Sequence, residues 1–186
     1  MAQLKALVVC YSEGDHTHYV AEALARGLEA QGAEVASLSL GDPATEATDL
    51  SGYELVCLGS PCYRTGLPAP VQRYLERLGP PEQAQADADG WGVVFIAYGS
   101  PHTNLEQAQE IAEALAEALK GAGRDVRGVW GVVGAFGGPP TAQGDRLGWL
   151  GNLQGQMYQQ DLDEIEARAG ELARELEREM EAGEQA

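Results

Sequence analysis

Residues 4–17 read LKALVVCYSEGDHT, and this stretch decides the fold. Its first eight residues form a nearly continuous apolar run, which is typical of a parallel strand covered on both faces. The segment Ser12–Asp15 follows at once and is rich in residues that form turns. Beyond it, Val20, Leu24 and Leu28 recur every four positions, as on the buried face of a helix. The stretch therefore predicts a strand, a tight loop and a helix.

The same alternation of strand and helix continues through the chain. The predicted strands are Leu4–Tyr11, Glu34–Leu40, Glu54–Gly59, Trp91–Tyr98 and Val126–Phe136. The predicted helices span 20–28, 71–78, 111–119 and an acidic 159–182, while 41–52 has room for a turn or two and 137–158 reads as a long loop. This order indicates one α/β domain over 1–186. We expect a three-layer, flavodoxin-like architecture with a five-stranded parallel sheet in the order 2-1-3-4-5.

The composition excludes several classes of function. Lysine and arginine number 12 against 29 acidic residues, a formal charge of −17, so binding to nucleic acid or to an anionic membrane is not expected. The same charge could steer a basic protein partner. The chain has no apolar run long enough to span a membrane and no signal-peptide layout at its start, and its three cysteines are an odd number. These features favour the reducing cytoplasm, with Cys62, in a predicted loop, as the thiol that could be reactive.

Candidate functional residues follow the first, third and fourth strands, because an open parallel sheet binds ligands beyond the carboxyl ends of its strands. In Ser12–Thr17, backbone N–H and hydroxyl groups could bind an anion at the positive end of a helix; the alternative is an ordinary turn with a helix cap. Tyr63 and Tyr98 could each offer a stacking surface to a planar ligand, or could fold onto a neighbouring helix.

Other chemistry finds little support in the sequence. The side chains of His16 and His18 diverge at a helix start, so we predict no metal site. A lysine-bearing phosphate loop and a nucleophile elbow are both missing from the sequence, which argues against a nucleoside triphosphatase or a hydrolase. No catalytic side chain is predicted.

Three stretches carry a specific resemblance: VVCYSEGDHTHYVAEALARGL, GSPCYRTGLPAPVQRYLERL and VVFIAYGS. Together they resemble the flavodoxin and flavodoxin-like FMN-dependent oxidoreductase family over most of the chain. The resemblance implies an FMN-binding redox protein whose first loop holds the phosphate with N–H and hydroxyl donors, while the loops after strands three and four enclose the flavin ring. The residues implied for phosphate are Ser12, Glu13, Gly14, Asp15, His16 and Thr17. Those implied for the ring are Ser60, Pro61, Cys62, Tyr63, Arg64, Thr65, Gly66, Tyr98 and Gly99.

The chain departs from this family at the centre of the phosphate loop. The family's loop usually reads Ser/Thr-x-Thr-Gly-Asn/His-Thr, whereas Gly14-Asp15 stands here in place of Thr-Gly. The Asp15 carboxylate could cap the helix and occupy the anion site, or it could point to solvent. Two functions therefore stay open: electron transfer or FMN-dependent reduction with a redox partner, and an interaction module that no longer holds FMN. Because 186 residues leave no room for a separate nicotinamide-binding domain, an electron carrier is favoured over a reductase that uses NAD(P)H.

Overall fold

The computed structural model describes residues 3–41, 49–63, 66–78, 90–98, 105–133 and 159–184. The elements are β1 (Lys5–Cys10), α1 (His16–Glu29), β2 (Glu34–Ser39), β3 (Leu55–Cys62), α2 (Ala69–Leu78), β4 (Trp91–Tyr98), α3 (Leu105–Gly121), β5 (Asp125–Val133) and α4 (Gln159–Glu184). All strand pairs are parallel, and the sheet order is β2-β1-β3-β4-β5. The predicted fold class is confirmed.

Each face of the sheet is covered by its own hydrophobic core, because neighbouring residues of a strand point to opposite faces. In β4, Val93 and Phe95 pack with α1 and α4, whereas Val94 and Ile96 pack with α2 and α3. Gly27 lets α1 approach α4 closely, since a Cβ there would lie 2.1 Å from the carbonyl oxygen of Glu166. Strands buried on both faces explain why their sequences are almost continuously apolar.

β3 is longer than the sequence predicted. The expected end at Gly59 is wrong, because the strand continues to Cys62 through pairs with β4 that end at Cys62 and Tyr98. Pro61 is tolerated within this strand for a reason of register. The Gly59 carbonyl accepts a hydrogen bond from the Tyr11 N–H on the β1 side, and Pro61 faces the same side two residues later, where β1 has ended. Its missing N–H therefore removes no bond of the sheet.

Between β2 and β3, the described chain includes residues 40–41 and 49–54 of the connection. Leu50–Gly52 form one 3₁₀ turn, and the Asp49 carboxylate accepts a hydrogen bond from the Ser51 N–H at 2.9 Å. That bond lowers the pKa of Asp49. The predicted long loop at 137–158 lies outside the described residues. Among the helices that the structure describes, none has the length and apolar character needed to cross a membrane.

Candidate functional site

The carboxyl ends of β1 and β3 lie side by side at the centre of the sheet. The Tyr11 N–H donates to the Gly59 carbonyl at 3.3 Å, so the pairing of the two strands continues one residue past the end of β1. Ser12–Thr17 then leaves the sheet beside the last residues of β3. The strand order thus places the predicted phosphate loop next to Tyr63.

Asp15 occupies the N-cap position of α1 in a left-handed conformation. Its φ is 63°, and it is the one non-glycine residue with positive φ in the described part of the chain. Aspartate and asparagine enter this region more readily than other side chains, although glycine fits it without cost. The Asp15 side chain is exposed and, within the described chain, makes no capping hydrogen bond. Of the two interpretations open for Asp15, the structure bears out the one in which the carboxylate points to solvent.

The first turn of α1 presents backbone donors at this point. The Tyr19 N–H donates to the Asp15 carbonyl at 2.9 Å, which is the first bond of the helix, and the His16 N–H donates back to the Gly14 carbonyl at 2.8 Å. The remaining N–H groups of a helix start have no carbonyl to reach within the helix, and here no Asp15 side chain caps them. Ser12 is half-buried beside them, and Thr17 is only 1% exposed. This donor set suits an anion bound without a cationic side chain.

Two carboxylates oppose an anion at the same place. Glu13 and Asp15 are both exposed. A unit charge about 4 Å from another contributes only about 1 kcal/mol when water screens it. Repulsion of that size weakens the binding of a phosphate group without excluding it, since a hydrogen bond to a charged group contributes about 1.5–3 kcal/mol. The residues present therefore fit the FMN phosphate.

Tyr63 joins the end of β3 to the phosphate loop. Glu13 of this loop lies near the Tyr63 side chain. Burial raises the pKa of Tyr63, and the negative charge of Glu13 raises it further. On the backbone, the Gly66 N–H donates to the Tyr63 carbonyl at 3.0 Å, and Gly66 has a φ of 88° that only glycine adopts easily. The ring is half-buried and stays partly accessible from outside.

Ser60, Pro61 and Cys62 belong to the strand and not to a loop. Ser60 is fully buried, and its hydroxyl donates to the Pro61 carbonyl at 2.9 Å. Cys62 is 5% exposed, and burial raises the pKa of its thiol. The prediction that Cys62 lies in a loop is wrong, and a buried thiol with a raised pKa is not a reactive nucleophile at neutral pH.

Tyr98 ends β4 beside Cys62, but its ring leans away from Tyr63. A Cβ on Gly131 of β5 would lie 3.1 Å from the Tyr98 ring, which places the ring over the neighbouring edge strand. Burial raises the pKa of Tyr98, which is half-buried. Cys62, the partner of Tyr98, is the last residue of β3, and Tyr63 follows it beyond the end of the strand. Three other predicted site residues lie outside the described chain: Arg64, Thr65 and Gly99.

The two histidines of the loop have separate neighbours. The His16 ring meets the Tyr19 ring edge-on, with centroids 6.5 Å apart. The His18 Nε2 lies 3.2 Å from the Glu22 Oε1, one helical turn further along α1. The two histidines therefore lie at the start of α1 with different neighbours.

Sequence reasoning did not predict that Glu13 and Tyr11 lie near Tyr63. Tyr11 lies close enough to Tyr63 for its negative charge, once ionised, to raise the pKa of Tyr63. The available signal was topological. With β1 next to β3, whatever follows Tyr11 must lie beside whatever ends β3, although neither stretch alone says which atoms meet.

Solved structures show the same fold. A WrbA-like flavodoxin from Agrobacterium tumefaciens has a TM-score of 0.59 at 18% identity, with 95% of this chain and 99% of that chain covered. A flavodoxin from Streptococcus pneumoniae has a TM-score of 0.63 at 14% identity, covering 92% and 99% of the two chains. A flavodiiron protein from Giardia intestinalis matches 93% of this chain with 36% of its own, at a TM-score of 0.63 and 19% identity. No protein-family model and no curated protein matches the sequence. The chain has the flavodoxin-like fold.

Proposed function

We propose that this protein is an FMN-binding redox protein. The observation that carries the proposal is the start of α1 at the carboxyl edge, whose Asp15 N-cap makes no side-chain capping bond within the described chain, with Tyr63 directly after the end of the neighbouring strand β3. An anion site and a partly accessible aromatic ring at one switch point suit a flat ligand that carries a phosphate. Flavodoxins that share the fold across more than nine-tenths of the chain support the same reading.

In this proposal the chain binds, orients and shields the cofactor. Ser12, Thr17 and the first N–H groups of α1 hold the phosphate, with Glu13 to His16 shaping the loop around it. The residues 60–66, Tyr98 and Gly99 surround the ring, of which Tyr63 offers the most direct surface. Bound FMN would supply reversible electron transfer, which no side chain of the chain supplies by itself.

The proposed role is that of an electron carrier, with FMN-dependent reduction of a small substrate as its enzymatic variant. The formal charge of −17 favours a partner whose docking face is basic, since complementary charge speeds encounter. We place the protein in the cytoplasm, where its three thiols stay reduced. We assign it no nucleic acid and no membrane as partner.

The direct test is to titrate the purified protein with FMN and follow absorbance and flavin fluorescence. We expect a yellow protein, with fluorescence quenched on binding and with riboflavin bound more weakly than FMN. Ser12→Ala should weaken FMN binding about tenfold through loss of a hydrogen bond to a charged group, and should change riboflavin binding little. Ser37→Ala, at an exposed position of β2, is the matched control. Absence of binding at high micromolar FMN would sink the proposal.

The second candidate is an interaction module that has lost FMN. It is favoured by the His16 N–H donating to the Gly14 carbonyl, which uses one loop donor internally, and by the two carboxylates at the loop. The same titration separates the candidates, because this one predicts neither quenching nor any difference between FMN and riboflavin.

A further inference from the structure

The face of β5 that looks towards α3 is open to solvent at the middle of the strand. β5 is the last strand of the sheet, and its register pairs Val129 with Val94, whose side chain packs with α3. Val129 therefore lies on the α3 face of the sheet, and yet 54% of it is exposed. A single exposed valine is ordinary on a protein surface, so its surroundings decide what it indicates.

Val129 begins an apolar strip that leads to the carboxyl edge of the sheet. Gly131, two residues further along β5, is exposed on the same face. The Tyr98 ring comes next, since a Cβ on Gly131 would lie 3.1 Å from it. Val129, Gly131 and the Tyr98 ring form the apolar strip, which spans four residues of strand, about 13 Å. Because Tyr98 is one of the residues proposed to surround the flavin ring, the strip ends at that site.

The helix beside this strip carries negative charge that few cations balance. α3 contacts β5, and its exposed glutamates are spaced by four, three and four positions, which places them in one stripe: Glu106, Glu110, Glu113 and Glu117. Like charges at these spacings destabilise a helix. Glu117 has Lys120 at 2.9 Å, whereas the other three have no cation within 4.0 Å in the described chain.

α4, on the opposite face of the sheet, is also acidic but pairs several of its acids with arginines. Arg127 of β5 lies 2.9 Å from the Glu175 Oε1 and also contacts Glu179. Arg26 of α1 lies 3.0 Å from the Glu166 Oε2. Acids of α4 thus join the helix to its neighbours, whereas the stripe on α3 presents its charge to solvent, where a cationic partner can meet it.

We infer that the apolar strip and the glutamate stripe of α3 together form the docking surface for a redox partner protein. The face of that partner carries an apolar patch with lysine or arginine beside it. Protein interfaces combine an apolar centre with a polar rim, and complementary charge sets orientation and encounter rate. The inference rests on the proposed function for the redox role of the partner. A second copy of this chain fits poorly, because it would bring two glutamate stripes together.

Substitutions test the two parts of the surface against the net charge of the protein. Glu110→Gln/Glu113→Gln removes two charges from α3, and Glu171→Gln/Glu181→Gln removes two exposed charges from α4 as the matched control. Val129→Lys places a cation at the centre of the apolar strip, on an edge strand where lysine is well tolerated.

Ser37→Lys is the matched control for Val129→Lys, because it adds a lysine at an exposed position of β2, the edge strand at the other side of the sheet. The probe is a lysine-rich c-type cytochrome, which is a redox protein with a basic face. Binding is measured at low ionic strength by the backbone amide resonances of the ¹⁵N-labelled protein, first without FMN.

We expect the cytochrome to shift the resonances of residues 106–117 and 126–131, and added salt to weaken its binding. The α3 double variant should weaken binding about three- to tenfold, and the α4 control less than about twofold. Val129→Lys should weaken binding about tenfold, and Ser37→Lys less than about twofold. In the protein loaded with FMN, electron transfer to the cytochrome should slow in the same order.

Equal weakening by the α3 and α4 double variants would overturn the inference, because the cytochrome would then respond to net charge alone. Unchanged binding in Val129→Lys, shifts confined to other faces, or no binding at low salt would also overturn it. Self-association of the wild type that Val129→Lys abolishes, measured by sedimentation, would assign the surface to a second copy instead. A wild type that binds the cytochrome at this surface but binds no FMN would overturn the proposed function and leave the docking surface.

Discussion

The two ends of the sheet differ in the sign and in the burial of their charged side chains. At the amino edge, where the strands begin, the Arg124 guanidinium is buried and only 4% exposed. It donates to the Tyr53 carbonyl at 2.6 Å and to the Leu50 carbonyl at 2.5 Å. At the carboxyl edge, where the strands end, Glu13 and Asp15 are exposed acids around the start of α1. In the described parts of the chain, a buried cation thus lies at one end of the sheet and exposed acids lie at the other.

This difference between the two edges separates residues that stabilise the fold from residues that are proposed to bind FMN. Backbone bonds close the amino edge from strand to strand: the Glu54 N–H donates to Lys5 at 3.0 Å, the Trp91 N–H to Glu54 at 2.7 Å and the Asp125 N–H to Gly90 at 2.9 Å. The carboxyl edge instead carries a backbone conformation with a positive φ at a non-glycine residue, Asp15. Unfavourable local conformations of this kind gather where proteins bind ligands. We therefore expect substitutions at the amino edge to change stability and those at the carboxyl edge to change FMN affinity.

The largest expected effect comes from Arg124→Met at the amino edge. Methionine has a similar length but no donor, so the Tyr53 and Leu50 carbonyls lose bonds to a charged group inside the protein. We expect the free energy of unfolding to fall by about 2–4 kcal/mol, measured by chemical denaturation. FMN affinity of the folded fraction should not change, because the site lies at the other end of the sheet.

Arg73→Met is the control for Arg124→Met. It makes the same chemical change at an exposed position of α2, where substitutions usually cost less than about 0.5 kcal/mol. Equal stabilities of the two variants would show that Arg124 does not hold the amino edge together. A loss of FMN affinity in Arg124→Met but not in Arg73→Met would contradict the expectation that the amino edge affects stability and the carboxyl edge affects binding.

The sequence predicts the strands and helices better than it predicts the carboxyl edge, where the candidate site lies. Helices and strands follow from apolar periodicity, because strands buried on both faces and helices buried on one leave regular patterns. The sheet order follows from the alternation of these elements and from the rules for their connections. The end of β3 was misplaced because Pro61 reads as a break. Only the pairing register of the strands shows that the missing N–H of Pro61 faces the side on which β1 has already ended.

The site itself was harder to predict. The position of the loop at Ser12–Thr17 follows from the strand order, but the direction of the Asp15 carboxylate depends on its φ of 63°, which residue types alone do not fix. Glu13 and Tyr63 are fifty positions apart in the chain, so no local pattern predicts that they lie near each other. Arg124 reads in the sequence as one more surface cation, since burial of an arginine depends on which carbonyls the folded chain brings near it.

The pH dependence of stability reports the burial of the thiol at the carboxyl end of β1. Cys10 is the last residue of β1, and burial raises the pKa of its thiol from 9.0 to about 12. The folded state therefore keeps the proton when the unfolded chain releases it, so this stabilisation is complete below pH 9.0 and is lost as the pH rises towards about 12.

At about pH 10, we expect ionisation of Cys10 in the unfolded chain to lower the free energy of unfolding by roughly 1 kcal/mol. Cys57, whose thiol pKa burial also raises, should lower it further. Denaturant unfolding of the wild type and of Cys10→Val at neutral pH and at about pH 10 measures the contribution. Cys10→Val should lose less stability between the two conditions than the wild type. An equal loss would mean that solvent reaches the end of β1 as freely as it reaches the loop above.

The smallest expected effect is at Asp15, where two substitutions separate the charge from the backbone. Asp15→Asn removes the charge and keeps a residue that accepts positive φ, whereas Asp15→Gly also relieves the conformation and should add about 0.5 kcal/mol of stability. If the repulsion is the screened value of about 1 kcal/mol, both should tighten FMN binding about fivefold, and added salt should reduce the gain. Glu29→Gln removes the same charge at the other end of α1, about 20 Å away, beyond the screening length, and should leave affinity unchanged. A gain in Asp15→Gly alone would assign the effect to the backbone, and no gain in either would place the carboxylate away from the phosphate, leaving Glu13 as the acid that opposes it.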